Sequence, residues 1–214
     1  MKAIKFIFWV IFFISSPSYS QEANDISTNN GTSKILILGD SLSAGYGLLS
    51  GESWVDLLQN SFATKNTWHI ENASISGETS DGGKRRIPDL LQKYQPQIVI
   101  LELGANDGLR GFAPNITYKN LEFMIQQSQL SGAKVLLVGI HLPPNYGEIY
   151  EKDFYKNYVD LSQKYHTPLV PFLLEKVGDN PELMQQDGLH PKAKAQPLIL
   201  ENVLLYLKPL LKIK

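Results

Sequence analysis

Five short runs suited to strands alternate with stretches in which apolar residues recur at helical spacing, and this alternation sets the plan of the chain. Lys34-Ile35-Leu36-Ile37-Leu38 reads as a buried parallel strand. Behind it, Trp54, Leu57, Leu58 and Phe62 predict an amphipathic helix over about residues 53–65. Thr67 to Glu71 alternates as a short second strand. Ile87, Leu90, Leu91 and Tyr94 mark the next helix, with Pro88 expected in its first turns, where a missing N–H costs least. Ile98 to Leu103 is apolar on both faces except at Glu102, as a central strand would be. Leu121, Met124, Ile125 and Ser128 outline a helix that finishes before Gly132. Val135 to Ile140 is a fourth strand, Phe154, Tyr158 and Leu161 a fourth helix, and Pro168 to Val170 a short fifth strand. Leu198 to Leu207 forms the body of a final helix. Such alternation predicts an α/β fold: one domain, a parallel sheet, and helices on both faces. The expected strand order is 2-1-3-4-5, the flavodoxin-like arrangement.

Composition narrows the chemistry. The 214 residues carry a net charge of −1, so the chain lacks the basic excess that nucleic acid would require. It contains no Cys, which excludes disulfides, thiolate metal sites and a cysteine nucleophile. Nothing in the sequence calls for more than a monomer. The N-terminus stands apart. Lys2 and Lys5 precede an apolar run from Phe6 to Ile14, too short to span a bilayer comfortably. Ser18-Tyr19-Ser20 follows, small at its first and third positions. Residues 1–20 therefore read as a signal peptide cleaved after Ser20, which implies a periplasmic or secreted protein with no stable membrane anchor. Residues 21–33, rich in Asn, Ser and Thr, read as a flexible lead into a domain spanning 34–214.

In an open α/β sheet, ligands bind beyond the carboxyl ends of the strands. Small-residue loops follow several strands here. Gly39-Asp40-Ser41-Leu42-Ser43 comes after the first strand, with Ser41 as a candidate nucleophile, although the stretch also fits a tight turn capped by Asp-Ser. A hydroxyl nucleophile needs a base, and the base an orienting partner. His69 and His166 lie where a structural histidine is the simpler reading; His141 follows the fourth strand and could line a cleft. His190 differs: Asp187 stands three residues before it, so the two can share one side of a loop while the imidazole faces Ser41. An acyl-transfer site also needs donors for an oxyanion. The candidates are the N–H of Ser41, the N–H of Gly77 and the side-chain amide of Asn106, each at a strand end.

These residues resemble a known family. Gly39-Asp40-Ser41-Leu42 is similar to the signature of the GDSL esterases, or SGNH hydrolases, named for a Ser, a Gly, an Asn and a His in separate blocks. Ser41, Gly77, Asn106 and His190 match them in order, with Asp187 ahead of the His. Residues 39–46, 72–77, 101–111 and 187–196 extend the resemblance over essentially the whole mature chain, toward the bacterial periplasmic multifunctional esterases. The resemblance implies a three-layer α/β/α sandwich with a five-stranded parallel sheet. It implies a serine esterase with a Ser41-His190-Asp187 triad, an acyl-enzyme intermediate and an oxyanion hole from Ser41, Gly77 and Asn106. The implied partners are small acyl esters and thioesters, including aryl esters, lysophospholipids and fatty acyl thioesters, with no cofactor and no metal. Asp40 is expected to organise the turn rather than to react. Leu109, Phe112, Leu142, Pro143 and Tyr146 are expected to flank an apolar groove for the acyl chain.

Three other readings remain at this point. A carbohydrate deacetylase would show the same motif, though the apolar loops favour a lipid or aryl ester. A flavodoxin-like binding module could use Gly45-Tyr46-Gly47, but the Gly-x-Gly-x-x-Gly spacing fails because Ser50 stands at the last position. A carboxylate metal site could be assembled from Asp40, Asp107 and Asp187.

Overall fold

The computed structural model describes residues 33–63 and 68–211; the signal-peptide reading and residues 21–32 of the lead lie outside them. Five parallel strands form one sheet: β1 (Ser33–Gly39), β2 (Trp68–Asn72), β3 (Ile98–Glu102), β4 (Lys134–Val138) and β5 (Leu169–Val170). Their order is β2-β1-β3-β4-β5, as expected. Each pairing is parallel, with Leu38 opposite Leu101 and Leu101 opposite Leu137 across the centre. Ile35 to Leu38, Ile98 to Leu101 and Leu136 to Val138 are fully buried. Helices cover both faces of such a sheet, so each of these side chains gains about 1.5–3 kcal/mol from leaving water.

The helices among the described residues are α1 (Ser41–Ala44), α2 (Trp54–Ala63), α3 (Ser80–Tyr94), α4 (Ala105–Leu109), α5 (Pro114–Leu130), α6 (Glu148–Tyr165) and α7 (Gln196–Leu207). Trp54 and Leu58 of α2, Phe154 and Tyr158 of α6, and Ile199 and Val203 of α7 turn their buried faces to the core.

One helix differs from its sequence reading. Pro88 does not occupy a first turn, because α3 starts at Ser80 and takes in Asp81-Gly82-Gly83. The Thr79 side chain caps it by accepting from the Gly82 N–H. Gly83 is a packing residue: a Cβ there would meet Leu103 Cδ1 at 2.3 Å and Met124 Sδ at 3.1 Å. Helix propensity is overridden by the need for close approach to the sheet. Pro88 is tolerated within the helix because it lies on its exposed side, where water can satisfy the carbonyl that loses its N–H partner.

Replacing Gly83 by Val should therefore push α3 away from Leu103 and destabilise the fold by about 1–3 kcal/mol, read as a lower urea midpoint. An unchanged midpoint would show that α3 does not depend on this contact.

Candidate active site

Helix α1 is a single turn that begins where β1 ends. Asp40 caps it, accepting at Oδ1 from the Leu42 N–H over 3.0 Å. Gly45, in the left-handed region with φ 77°, closes it. Below the turn, Glu102 at the end of β3 accepts from the Asp40 N–H (3.2 Å) and from the Ser43 hydroxyl (2.7 Å). The approach is so close that a Cβ on Gly39 would fall 2.6 Å from Glu102 Oε2. Ser41 is thereby fixed at the first position of a turn whose N–H groups point beyond the sheet. Ser43 faces the core and takes no part in the cavity.

His190 arrives from the other end of the chain. Residues 183–192 double back: Lys192 N–H donates to the Leu183 carbonyl (2.7 Å) and Gln185 N–H to the His190 carbonyl (2.7 Å). Gln185 Nε2 also donates to the Tyr46 carbonyl (2.9 Å), which ties this segment to the loop after α1. His190 Nε2 lies 2.8 Å from Ser41 Oγ, and its Nδ1 lies 2.7 Å from Asp187 Oδ2. The other Asp187 oxygen accepts from the backbone N–H groups of Leu189 and His190. The Tyr46 ring covers the imidazole at a centroid distance of 4.4 Å. Nδ1 therefore carries the proton shared with Asp187, and Nε2 is free to accept from Ser41.

The three expected donors converge on the same cavity, with Ser41, Gly77 and Asn106 all in its lining. Among the described residues, neither the Ser41 nor the Gly77 backbone N–H has an acceptor. Gly77 has φ 79°, and its own carbonyl is held by Arg110 at 3.1 Å. Asn106 Nδ2 donates one hydrogen to Asp40 Oδ2 (3.1 Å), which leaves the second for the cavity. Asp40 thus links the Ser41 turn to the Asn106 amide, a connection that spacing along the chain does not reveal.

The carboxylates sit in contrasting fields. Partial burial works to raise Asp187, but the hydrogen bonds from the His190 ring and from the backbone of His190 and Leu189 outweigh it and bring its pKa to about 2. Burial pushes Asp40 up to about 6, against the pull of the Leu42 N–H, the His190 charge and the Asn106 amide. Glu102 is raised well above the usual carboxylate range by complete burial and then by Asp40, and its Oε1 has no hydrogen-bond partner. Asp40, Asp107 and Asp187 do not converge: Asp107 is buried against Ser80 and Thr117, and Asp187 faces His190. Among the described residues no three metal-ligating side chains cluster.

The cavity has a volume of about 630 Å³. Leu109, Leu142 and Pro143 line it, joined by Ile140, Phe172 and Leu174. His141 is also at its wall, paired with Glu151 at 2.5 Å and stacked on Tyr155. Two expected groove residues lie outside the lining. The Tyr146 hydroxyl turns to the Leu109 carbonyl (2.9 Å), and Phe112 is exposed, its carbonyl held by the Tyr150 hydroxyl (2.7 Å). Both loops do open at the Ser41 end of the sheet, but Tyr146 braces the loop after β3 and Phe112 faces solvent. The apolar wall from Phe172 and Leu174 follows β5, where no motif marked it.

A family model described as the GDSL-like lipase/acylhydrolase family matches residues 37–197. The chain belongs to this family. It is 50% identical over 178 residues to "Esterase TesA" of Pseudomonas aeruginosa, covering 83% of this chain and 89% of that protein. It is 45% identical to an "Arylesterase" of Vibrio mimicus, over the same shares of the two chains. Against "Thioesterase 1/protease 1/lysophospholipase L1" of Escherichia coli K12 the identity is 44%, covering 82% of this chain and 84% of that one. Among solved structures, the psychrotrophic esterase EstA from Pseudoalteromonas, inhibited by monoethylphosphonate, superposes with a TM-score of 0.80 at 44% identity, covering 84% of this chain and 99% of the other.

Asp40→Asn tests the link to Asn106. An amide at this position has one acceptor oxygen, so it cannot serve both the Leu42 N–H and the Asn106 amide. kcat on an activated ester should fall about 10²–10³-fold, as for loss of one oxyanion donor. Stability should move the other way. Raising the folded pKa above 3.8 means that ionising Asp40 costs stability as pH rises from about 4 to 6. The variant should gain on wild type by about 1–3 kcal/mol between pH 4 and pH 8 in denaturant titrations. A gain at pH 4 that disappears at pH 8 would contradict the buried-charge account.

Proposed function

We propose that this chain is a serine esterase that hydrolyses small acyl esters and thioesters through an acyl-enzyme, with Ser41, His190 and Asp187 as its triad. The observation that carries the reading is the continuous arrangement of Ser41 Oγ, His190 and Asp187 on one cavity, beside the N–H groups of Ser41 and Gly77 and the second amide hydrogen of Asn106. His190 Nε2 takes the Ser41 proton as Oγ attacks the acyl carbonyl. The N–H groups of Ser41 and Gly77 and the Asn106 amide stabilise the oxyanion. His190 then gives its proton to the leaving alcohol or thiol as the C–O or C–S bond breaks. Water, deprotonated by His190, attacks the acyl-enzyme and releases the acid with Ser41 reprotonated. Asp187, with its pKa near 2, stays ionised and stabilises the imidazolium without taking the proton.

The apolar lining supports acyl or aryl groups rather than sugars as the bound portion. Aryl esters, lysophospholipids and fatty acyl thioesters are the substrate classes proposed, in keeping with the names of the relatives. Residues 1–20 are proposed as a cleaved signal peptide, placing the enzyme in the periplasm or outside the cell. No helix among the described residues is long and apolar enough to cross a membrane.

A chain-length series of p-nitrophenyl esters, with acetylated sugars alongside, tests the reading. Ser41→Ala should lose at least about 10⁴-fold in kcat and all labelling by a fluorophosphonate. Leu142→Ser should reduce kcat/KM on long chains more than on short ones, because Leu142 lines the cavity while packing on Gly108. Full activity of Ser41→Ala would overturn the mechanism, an equal loss at every chain length would overturn the acyl assignment, and a preference for acetylated sugars would favour a deacetylase.

A further inference from the structure

Asp107 is the one fully buried carboxylate at this end of the sheet, among the described residues, that the mechanism leaves without a task; Asp40 and Glu102 both sit under the nucleophile. It follows Asn106 directly, and its side chain points away from the cavity. Oδ2 accepts from the Ser80 N–H at 2.8 Å. Oδ1 accepts from the Ser80 hydroxyl at 2.5 Å and from the Thr117 hydroxyl at 3.3 Å. Asn120 Nδ2 completes the cluster by donating to Ser80 Oγ at 3.0 Å. Ser80, Asp107 and Thr117 are fully buried, and Asn120 nearly so.

The sequence positions give the cluster its meaning. Ser80 is the first residue of α3, three residues after Gly77. Asp107 lies in α4, one residue after Asn106. The carboxylate therefore grips the chain three residues beyond one expected oxyanion donor from a position one residue beyond the other. Thr117 and Asn120 belong to α5, so a third element braces the grip. From the solvent side, Arg110 on the Gly77 carbonyl joins the same two loops. Two backbone segments that share no strand pairing with each other, since β2 and β3 are separated by β1, are thus held at a fixed spacing.

We propose that Asp107 is the positioning residue of the oxyanion hole, acting through Ser80 to set the separation between the Gly77 N–H and the Asn106 amide. The proposal rests on the reading of Gly77 and Asn106 as oxyanion donors. A misplacement of either donor weakens stabilisation of the tetrahedral intermediate but leaves ground-state binding in the apolar cavity intact. The effect belongs in kcat, not KM.

Asp107→Asn can keep the cluster: its oxygen accepts from the Ser80 N–H and its amide donates to the Ser80 and Thr117 hydroxyl oxygens, while the Asn120 amide turns over so that its oxygen accepts the Ser80 proton. Ala cannot. The experiment compares Asp107→Ala, Asp107→Asn and Ser80→Ala with wild type on p-nitrophenyl butyrate, with circular dichroism and melting curves as controls, and measures inhibition by a trifluoromethyl ketone that forms a tetrahedral adduct. Asp107→Ala should lower kcat about 10–10³-fold with KM within about twofold, and weaken the ketone by a matching factor. Asp107→Asn should recover most of both. Ser80→Ala, which keeps the backbone N–H, should lose several-fold in kcat at constant KM and remains informative if Asp107→Ala does not fold. A folded Asp107→Ala with wild-type kcat, an Asp107→Asn as impaired as Asp107→Ala, or losses confined to KM would overturn the proposal. Failure of the underlying reading looks different: Ser41→Ala would stay active, whatever the clamp variants did.

Discussion

A 2.8 Å contact between side chains 149 residues apart in sequence governs this structure. Ser41 and His190 must meet within the tolerance of one hydrogen bond, although one follows the first strand of the sheet and the other precedes its last helix. Neither can be left to a flexible loop. The sheet anchors the first through β1, whose residues Ile35 to Leu38 are inaccessible to water. The second hangs on a short doubled-back segment with Asp187 and His190 near its tip. Gln185 joins the two by donating to the Tyr46 carbonyl, and the Tyr46 ring rests on the imidazole. The Ser41–His190 distance is thus set by the buried strand, one amide bridge and one ring contact.

Electrostatics divides the nearby carboxylates by environment. Asp187, partly open to water and surrounded by donors, is kept ionised beside the His190 ring. Asp40 and Glu102, buried under the Ser41 turn, are both resisted as charges by the core. Their placement is costly in folding terms but holds the turn from below, through the Asp40 and Ser43 donors, and the Asn106 amide from the side. Such exchange of stability for geometry is what active sites commonly show.

Much of this was legible in the chain because parallel strands buried on both faces are written as plain apolar runs. Strand order and the loops bearing Ser41, Gly77, Asn106 and His190 followed from that pattern and from the family resemblance. Reading failed where tertiary packing overruled local rules. Pro88 is expected in the first turns of its helix, but α3 begins earlier, at Ser80, because Gly83 packs against Leu103 and Met124, a contact not encoded nearby. Tyr146 looked like groove lining, since spacing cannot tell that its hydroxyl turns to the Leu109 carbonyl. Glu102 was visible as the polar exception in its strand, but its partners come from a different strand's end. Asp40 was read as organising its own turn; its second bond, to Asn106, spans 66 residues and could not be inferred from composition or periodicity.

The sheet's polarity also leaves the molecule with two unlike ends. Every side chain assigned to chemistry sits beyond the carboxyl ends of the strands, whereas the turns at Gln95 to Gln97 and Ser131 to Gly132 lie at the amino ends of β3 and β4. Attachment to a solid support, fusion to a second protein or insertion of a peptide at those turns would leave the cavity facing open solution. The architecture thus offers a handle on the side away from the cavity.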